Sequence, residues 1–230
     1  MPNKLTAAII GDLTRQWRYN VIAAALLVTV LYSIVLIPMR QNQLDKAMLF
    51  LIFSDPLVLG MTFIGALILF ERADRTIDVI VITPLKRWQY LWSKAISLTL
   101  VAVVCSIIMA AVSFGLAVPW FWFLLSIALS SVIFIFLGFV IVASCTSFYQ
   151  YLLKMGIFMI PVSLPLLNFI ELTDTKIWYL VPTQATLILM ETLIAAQSTG
   201  NIIYAVFYLV IWCIGSYYFA SRAFERYLSQ

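Results

Sequence analysis

The sequence predicts an all-α, polytopic membrane protein: six transmembrane helices, an N-terminal interfacial helix, and an extracytoplasmic helical hairpin before the last span. Three observations carry that prediction. Of 230 residues, 64% are hydrophobic and 10% are charged, whereas soluble domains run at about 45–50% and about 25%. Apolar runs of roughly the 20 residues needed to cross a bilayer recur along the whole chain. The basic residues are concentrated in alternate connections between those runs, which fixes an orientation. The mean hydropathy is +1.05, and residues 1–230 read as one domain.

Residues 4–19, KLTAAIIGDLTRQWRY, carry Leu5, Ile9, Leu13 and Trp17 on one drifting helical face, with Asp12, Arg15, Gln16 and Arg18 on the rest. The pattern fits an amphipathic helix lying in the interface, with Trp17 at headgroup level. A plain extension of the first span is the alternative. The first span is read as Val21–Ile37, closed by Pro38, and the second as Ala47–Phe70. Within the second lies Ser54-Asp55-Pro56. An ionisable group inside a span is a functional candidate, here for a transport pathway; Asp55 capping a broken helix with Pro56 at its first position is the other reading.

The third span is read as Ala95–Leu116 and the fourth as Phe121–Ala143, joined by the uncharged turn at Pro119. The fifth is read as Leu153–Ile170. Pro161 and Pro165 free backbone acceptors there, so a kink or break is expected. Glu171 and Asp174 mark its end. Residues 175–200 are short, open a helical segment with Pro182 and carry Glu191, which suits an interfacial or re-entrant hairpin. The last span is Ile202–Ala220, followed by a basic tail.

With the N-terminus in the cytoplasm, Lys4, Arg15, Arg18, Arg72, Arg75, Lys86, Arg87, Lys94, Lys154, Arg222 and Arg226 fall inside. Arg40, Lys46 and Lys176 fall outside. That asymmetry predicts a multi-pass membrane protein with both termini cytoplasmic. The net charge of +4 is then topology charge beside anionic lipid, and no nucleic-acid partner is expected. No compact apolar core precedes a small-residue cleavage site, so no cleavable signal peptide is expected. Cys105, Cys145 and Cys213 lie in or at the end of apolar runs without a CxxC pair and read as small core residues. The chain has no histidine, which removes the commonest general base and transition-metal ligand.

One stretch departs from this apolar background. Residues 71–94, ERADRTIDVIVITPLKRWQYLWSK, hold Glu71, Arg72, Asp74, Arg75, Asp78, Lys86, Arg87 and Lys94. Asp74 is placed to cap a short helix over Arg75–Ile82, on which Ile77, Ile80 and Val81 share a face. Thr83-Pro84 then predicts a second helix, Thr as N-cap and Pro at N1, running into the third span. Trp88, Tyr90 and Trp92 are expected at the membrane interface, with Lys86, Arg87 and Lys94 near lipid phosphates, forming an interfacial hinge. A short cytoplasmic helix held between two spans can transmit a push; a solvated loop that only fixes topology is the alternative.

Glu71-Arg72, then Thr76-Ile-Asp-Val-Ile-Val-Ile-Thr-Pro-Leu85, then Tyr90-Leu-Trp-Ser-Lys94 resembles the type-2 ABC exporter permeases. The preceding FSDPLVLGMTFIGALILFE is similar to the bacterial branch that holds drug-export permeases, and the whole layout follows the same plan. Where many members of that family carry Gly-Thr, this chain has Arg75-Thr76. The resemblance implies a coupling helix that docks on a separate ATP-binding-cassette ATPase subunit. Glu71, Arg72, Asp74, Arg75, Thr76, Ile77, Asp78, Ile80, Val81, Thr83 and Pro84 are its coupling residues. It further implies a second permease chain, identical or not, with substrate passing between the two. The chain has no GxxxxGK[ST] segment, so it cannot supply the ATPase itself; the resemblance implies that ATP and Mg are held by the partner and that this chain is a transport subunit without a cofactor, not an enzyme. The competing readings are a polytopic membrane enzyme, which would need a catalytic constellation the sequence does not offer, and a non-transporting permease-like immunity or assembly protein.

Overall fold

A computed structural model describes residues 4–74, 86–115, 119–169 and 176–228. Every regular element among them is helical: α1 (Lys4–Arg18), α2 (Val21–Gln41), α3 (Asp45–Ala73), α4 (Arg87–Phe114), α5 (Trp120–Val142), α6 (Phe148–Ser163), α7 (Pro165–Phe169), α8 (Pro182–Met190) and α9 (Thr199–Leu228), with 3₁₀ turns at Lys176–Leu180 and Glu191–Leu193. Helices α3, α4 and α5 pack against one another at the centre. Helix α2 lies on α4 and α3, α9 lies on the far side of α5, and α1 lies along α4.

Among the described residues, five helices are long and apolar enough to cross a membrane: α2, α3, α4, α5 and α9. The sixth expected span is divided. Helix α6 has 16 residues, a length of about 24 Å at 1.5 Å per residue, short of the roughly 30 Å hydrocarbon core. Pro161 is accommodated inside α6, whereas Pro165 starts α7. The carbonyl of Val162, next to this break, accepts a hydrogen bond from the Thr183 hydroxyl at 2.7 Å. Thr183 is fully buried, and Thr183→Val is expected to cost about 1–3 kcal/mol by stranding that carbonyl. Thermal unfolding in detergent measures the loss.

Three boundaries differ from the sequence reading. Helix α2 does not stop at Pro38 but runs on to Gln41; a proline in a last turn costs only one interior hydrogen bond. Asn42 closes the end by donating from its backbone and side chain to the Pro38 carbonyl. Helix α3 is unbroken from Asp45 to Ala73, so Asp55 does not start a helix. Helix α4 begins at Arg87, with extended Lys86 as its N-cap; Lys86 N–H donates to Gln89 Oε1 at 2.9 Å. The predicted cap Thr83-Pro84 and the coupling helix fall within 75–85, outside the described residues.

Helix α1 is separate from α2. The corner is Tyr19-Asn20, with Asn20 at φ 56°, a left-handed conformation that asparagine tolerates. On the opposite side of the molecule, Gly115 at φ 80° ends α4. Arg40 donates to the Val112 carbonyl at 3.0 Å, placing a cation on the negative end of that helix.

The 176–200 hairpin is not a surface feature throughout. All nine residues of α8 are buried, packed against α9 and α5. Tyr204 and Tyr208 of α9 donate to the carbonyls of Tyr179 and Leu180, each at 2.6 Å. In the following turn, Glu191 accepts from Gln197 at 3.0 Å. Burial raises the Glu191 carboxyl above the usual range, and Lys46 partly offsets this. A raised folded-state pKa means that the folded protein holds the proton more tightly than the unfolded chain does. The stability this gives is present below the unfolded value and lost as pH rises through the folded one. Glu191→Gln is therefore expected to match or exceed the wild-type melting temperature in neutral buffer. The two should converge in acid, as melting curves at both pH values would show.

Candidate functional site

Side chains from three helices meet at the root of the 75–85 segment. Asp12 and Arg15 come from α1, Glu71 from the end of α3, and Tyr90, Ser93, Lys94 and Ser97 from the start of α4. Residues 12, 15 and 16 share one face of α1 by helical spacing, and residues 90, 93, 94 and 97 do the same on α4. Where those faces meet, four charges form a closed ring of alternating sign. Lys94 Nζ lies 2.5 Å from Glu71 Oε1 and 3.0 Å from Asp12 Oδ1. Arg15 completes the circuit, 2.8 Å from Asp12 and 3.2 Å from Glu71.

Burial makes this arrangement consequential. Lys94 is 2% exposed, Asp12 1% and Glu71 0%. Removing such ions from water costs several kcal/mol each and is offset only when geometry and hydrogen bonding are both good. Here each carboxylate oxygen has a partner. Asp12 Oδ2 accepts from Ser93 at 2.6 Å, and Glu71 Oε2 accepts from Tyr90 at 2.9 Å. The Lys94 ammonium also stands 4.9 Å from the Tyr90 ring centre, a cation–π distance. Beside the ring, Gln16 donates to Ser97 at 2.7 Å.

Further bonds fix both flanks of the loop. Tyr19 donates to Asp74 at 2.5 Å, and this bond, with burial second, raises the Tyr19 phenol. Arg72 donates to the Cys145 carbonyl at 2.6 Å, tying the end of α3 to the α5–α6 connection. On the other flank, Arg87 pairs with Glu225 of α9, and Tyr90 stacks on Phe224 at 5.1 Å. Trp92 meets Phe136 edge-on at 5.4 Å.

The residues expected to couple or to hinge therefore divide. Glu71 is wholly inside the protein, Arg72 is half-buried and Asp74 is exposed. Arg75, Thr76, Ile77, Asp78, Ile80, Val81, Thr83 and Pro84 lie outside the described residues. Of the hinge residues, Lys86, Arg87 and Trp88 are exposed, whereas Tyr90 and Lys94 are buried. Lys94 thus faces carboxylates and not lipid phosphates, because Asp12 and Glu71 supply counter-charges at closer range than any headgroup. For Asp55, the backbone alone is described, in mid-helix.

Sequence reading placed Asp12, Arg15 and Gln16 on the wet side of an interfacial helix. In the structure Asp12 and Gln16 are buried against α4, while Ile10 and Trp17 are 58% and 72% exposed. Leu5, Ile9 and Leu13 of the expected apolar face are half-buried beside them, and the outward side mixes Ile10 and Trp17 with Thr14 and Arg18. No local signal pointed to the ring: Asp12 and Arg15 lie in α1, Glu71 and Lys94 lie in the turns of α3 and α4 next to the 75–85 segment, and each taken alone fits an interfacial position.

The resemblance drawn from residues 71–94 agrees with the comparison to known proteins. Two relatives, each named a fluoroquinolones export permease protein, come from Mycobacterium tuberculosis strains CDC 1551 / Oshkosh and ATCC 25618 / H37Rv. Each is 28% identical over 233 residues, covering 99% of this chain and 97% of the relative. Residues 3–230 match the family model as well, and the chain accordingly belongs to the Fluoroquinolones export permease protein family.

Proposed function

We propose that this chain is the transmembrane permease subunit of a drug exporter driven by a separate ATP-binding-cassette ATPase. Two permease chains enclose the path in the bacterial inner membrane, and residues 71–94 couple each to its ATPase. The observation that supports this reading best is the charge ring. It grips Glu71 just before the 75–85 segment and Lys94 just after it, so a force on that segment would move α3 and α4 without being absorbed at its root. Buried Glu71, Tyr90 and Lys94 then act by positioning the loop, while the residues of 75–85 and exposed Asp74 make the contact. The names of the relatives make fluoroquinolones, planar amphipathic drugs, the first cargo to test. Asp55 remains a pathway candidate; Asp55→Asn should lower transport without lowering folded yield if it serves there.

The test is co-expression with an ATP-binding-cassette ATPase from the same genome, purification through a tag on the permease, and fluoroquinolone uptake into inverted vesicles. A stable complex with ATP-dependent uptake is expected. Charge reversal at Asp78 should leave insertion intact and abolish uptake. An absence of any ATPase in the purified material, together with uptake that ignores ATP, would overturn the reading.

A further inference from the structure

The bend that leads into α8 has its backbone acceptors taken and donors left over. The Trp178 carbonyl accepts from the Val181 N–H at 3.0 Å, and the Val181 carbonyl from the Gln184 N–H at 3.1 Å. Between them, the Tyr179 and Leu180 carbonyls are held by Tyr204 and Tyr208, and the Pro182 carbonyl accepts from the Thr186 hydroxyl at 3.1 Å. On the donor side, Trp178 Nε1 is buried with no hydrogen-bond partner among the described residues. Helix α8 then starts with extended Val181 as N-cap, no side-chain cap and no acidic residue in its first turn. Pro182 brings no N–H and that of Gln184 is committed to Val181, so the Thr183 N–H is the donor that remains at the helix start. In the same turn Gln184 is 8% exposed, and its Oε1 also lacks a partner among the described residues. Rotated end for end, that amide presents its NH₂ instead.

A buried polar group without a partner is costly, and each one in a native structure calls for an explanation. Here the unpartnered groups gather at one helix start, the positive end of its dipole. A ligand that completes them must bring acceptors and is favoured by negative charge. Broken segments of transporters use half-helix N-termini in this way, aimed at anionic groups of the substrate. Ile177 and Leu180, on either side of Trp178 and Tyr179, are 65% and 67% exposed, so the bend is reached from the surface of the chain.

We propose that the start of α8 is a carboxylate site for the exported drug. The Trp178 indole N–H, the Thr183 backbone N–H and the Gln184 amide, turned to present its NH₂, donate to the carboxylate oxygens. Fluoroquinolones carry such a carboxylate beside a ring ketone, a set of acceptors that matches these donors. The proposal rests on the exporter reading above.

The experiment uses the purified permease–ATPase complex and compares a fluoroquinolone with its methyl ester, which keeps the ring system and removes the charge. Binding is read from the anisotropy of the drug's own fluorescence. The wild type is expected to bind the acid about tenfold more tightly than the ester, the scale of hydrogen bonds to a charged group. Trp178→Phe/Gln184→Leu keeps a ring at one position and the volume at the other while removing both side-chain donors. It is expected to weaken acid binding by about tenfold and to bring the ratio of the two affinities close to one. Each single variant should move the ratio part of the way, which decides the matter if the double variant does not fold. A wild-type ratio of one would overturn the proposal, as would a ratio that the variants leave unchanged, the outcome expected if water alone completes these groups. A complex that binds neither compound and takes up neither with ATP would instead count against the exporter reading itself.

Discussion

Lys94→Met is expected to destabilise the protein by about 3–5 kcal/mol, the usual cost of removing one partner from a buried ion pair. The methionine fills nearly the same volume, so packing is not the cause. The cause is that Asp12 and Glu71, 1% and 0% exposed, would keep only Arg15 as a counter-charge. Ser93 and Tyr90 would still donate to them, which limits the damage without neutralising it. The same reasoning predicts a rescue. Adding Glu71→Gln to Lys94→Met restores charge balance, since Asp12 and Arg15 remain paired at 2.8 Å. The double variant should recover much of the loss, and the coupling between the two sites should be well above the error of a double-mutant cycle. Thermal unfolding of the four proteins in one detergent gives the cycle. Simple addition of the two losses would show that the ring is not the unit described here.

Gly65→Ala should also be strongly destabilising, although alanine is the better helix former by about 1 kcal/mol. A Cβ at Gly65 would stand 2.1 Å from Cε1 of Tyr151, inside any real contact distance. Tyr151 has no room to withdraw: it is fully buried, and its hydroxyl donates to the Met61 carbonyl. Gly138 of α5 borders the same hydroxyl, where an added Cβ would lie 3.1 Å from it. Overpacking of this kind costs about 1–3 kcal/mol, and displacing the phenol would add the loss of its hydrogen bond. Gly156→Ala is the control, because nothing lies within 4 Å of a Cβ there, and it should stabilise. Opposite signs for the two glycines in one melting series are the expected result. Adding Tyr151→Ala should relieve the clash at residue 65.

The spans were legible because the bilayer imposes one simple requirement on them. The fourth was read as Phe121–Ala143 and is Trp120–Val142; the break near Pro165 followed from proline chemistry. Pro38 does not close α2 because the missing N–H and the ring of a proline disturb only the turn before it, and the residues after it can stay helical. The charge ring was not legible. Its partners Asp12 and Lys94 are 82 residues apart, and each taken alone fits an interfacial residue that faces water or phosphate. Only the packing of α1 on α4 brings them together. Glu71 was recognised as a special position, but as a docking residue, because burial at the end of a span cannot be read from its neighbours in sequence.

The most direct test of the central claim is photo-cross-linking from the loop itself. A photoreactive amino acid would be placed at Ile80 in the permease, co-expressed with its ATPase and irradiated in membranes. Coupling through the 75–85 segment predicts an adduct between the two chains that is lost when the ATPase is omitted. No permease–ATPase adduct from Ile80 or from its neighbours Ile77 and Val81, in membranes that still export drug, would contradict it.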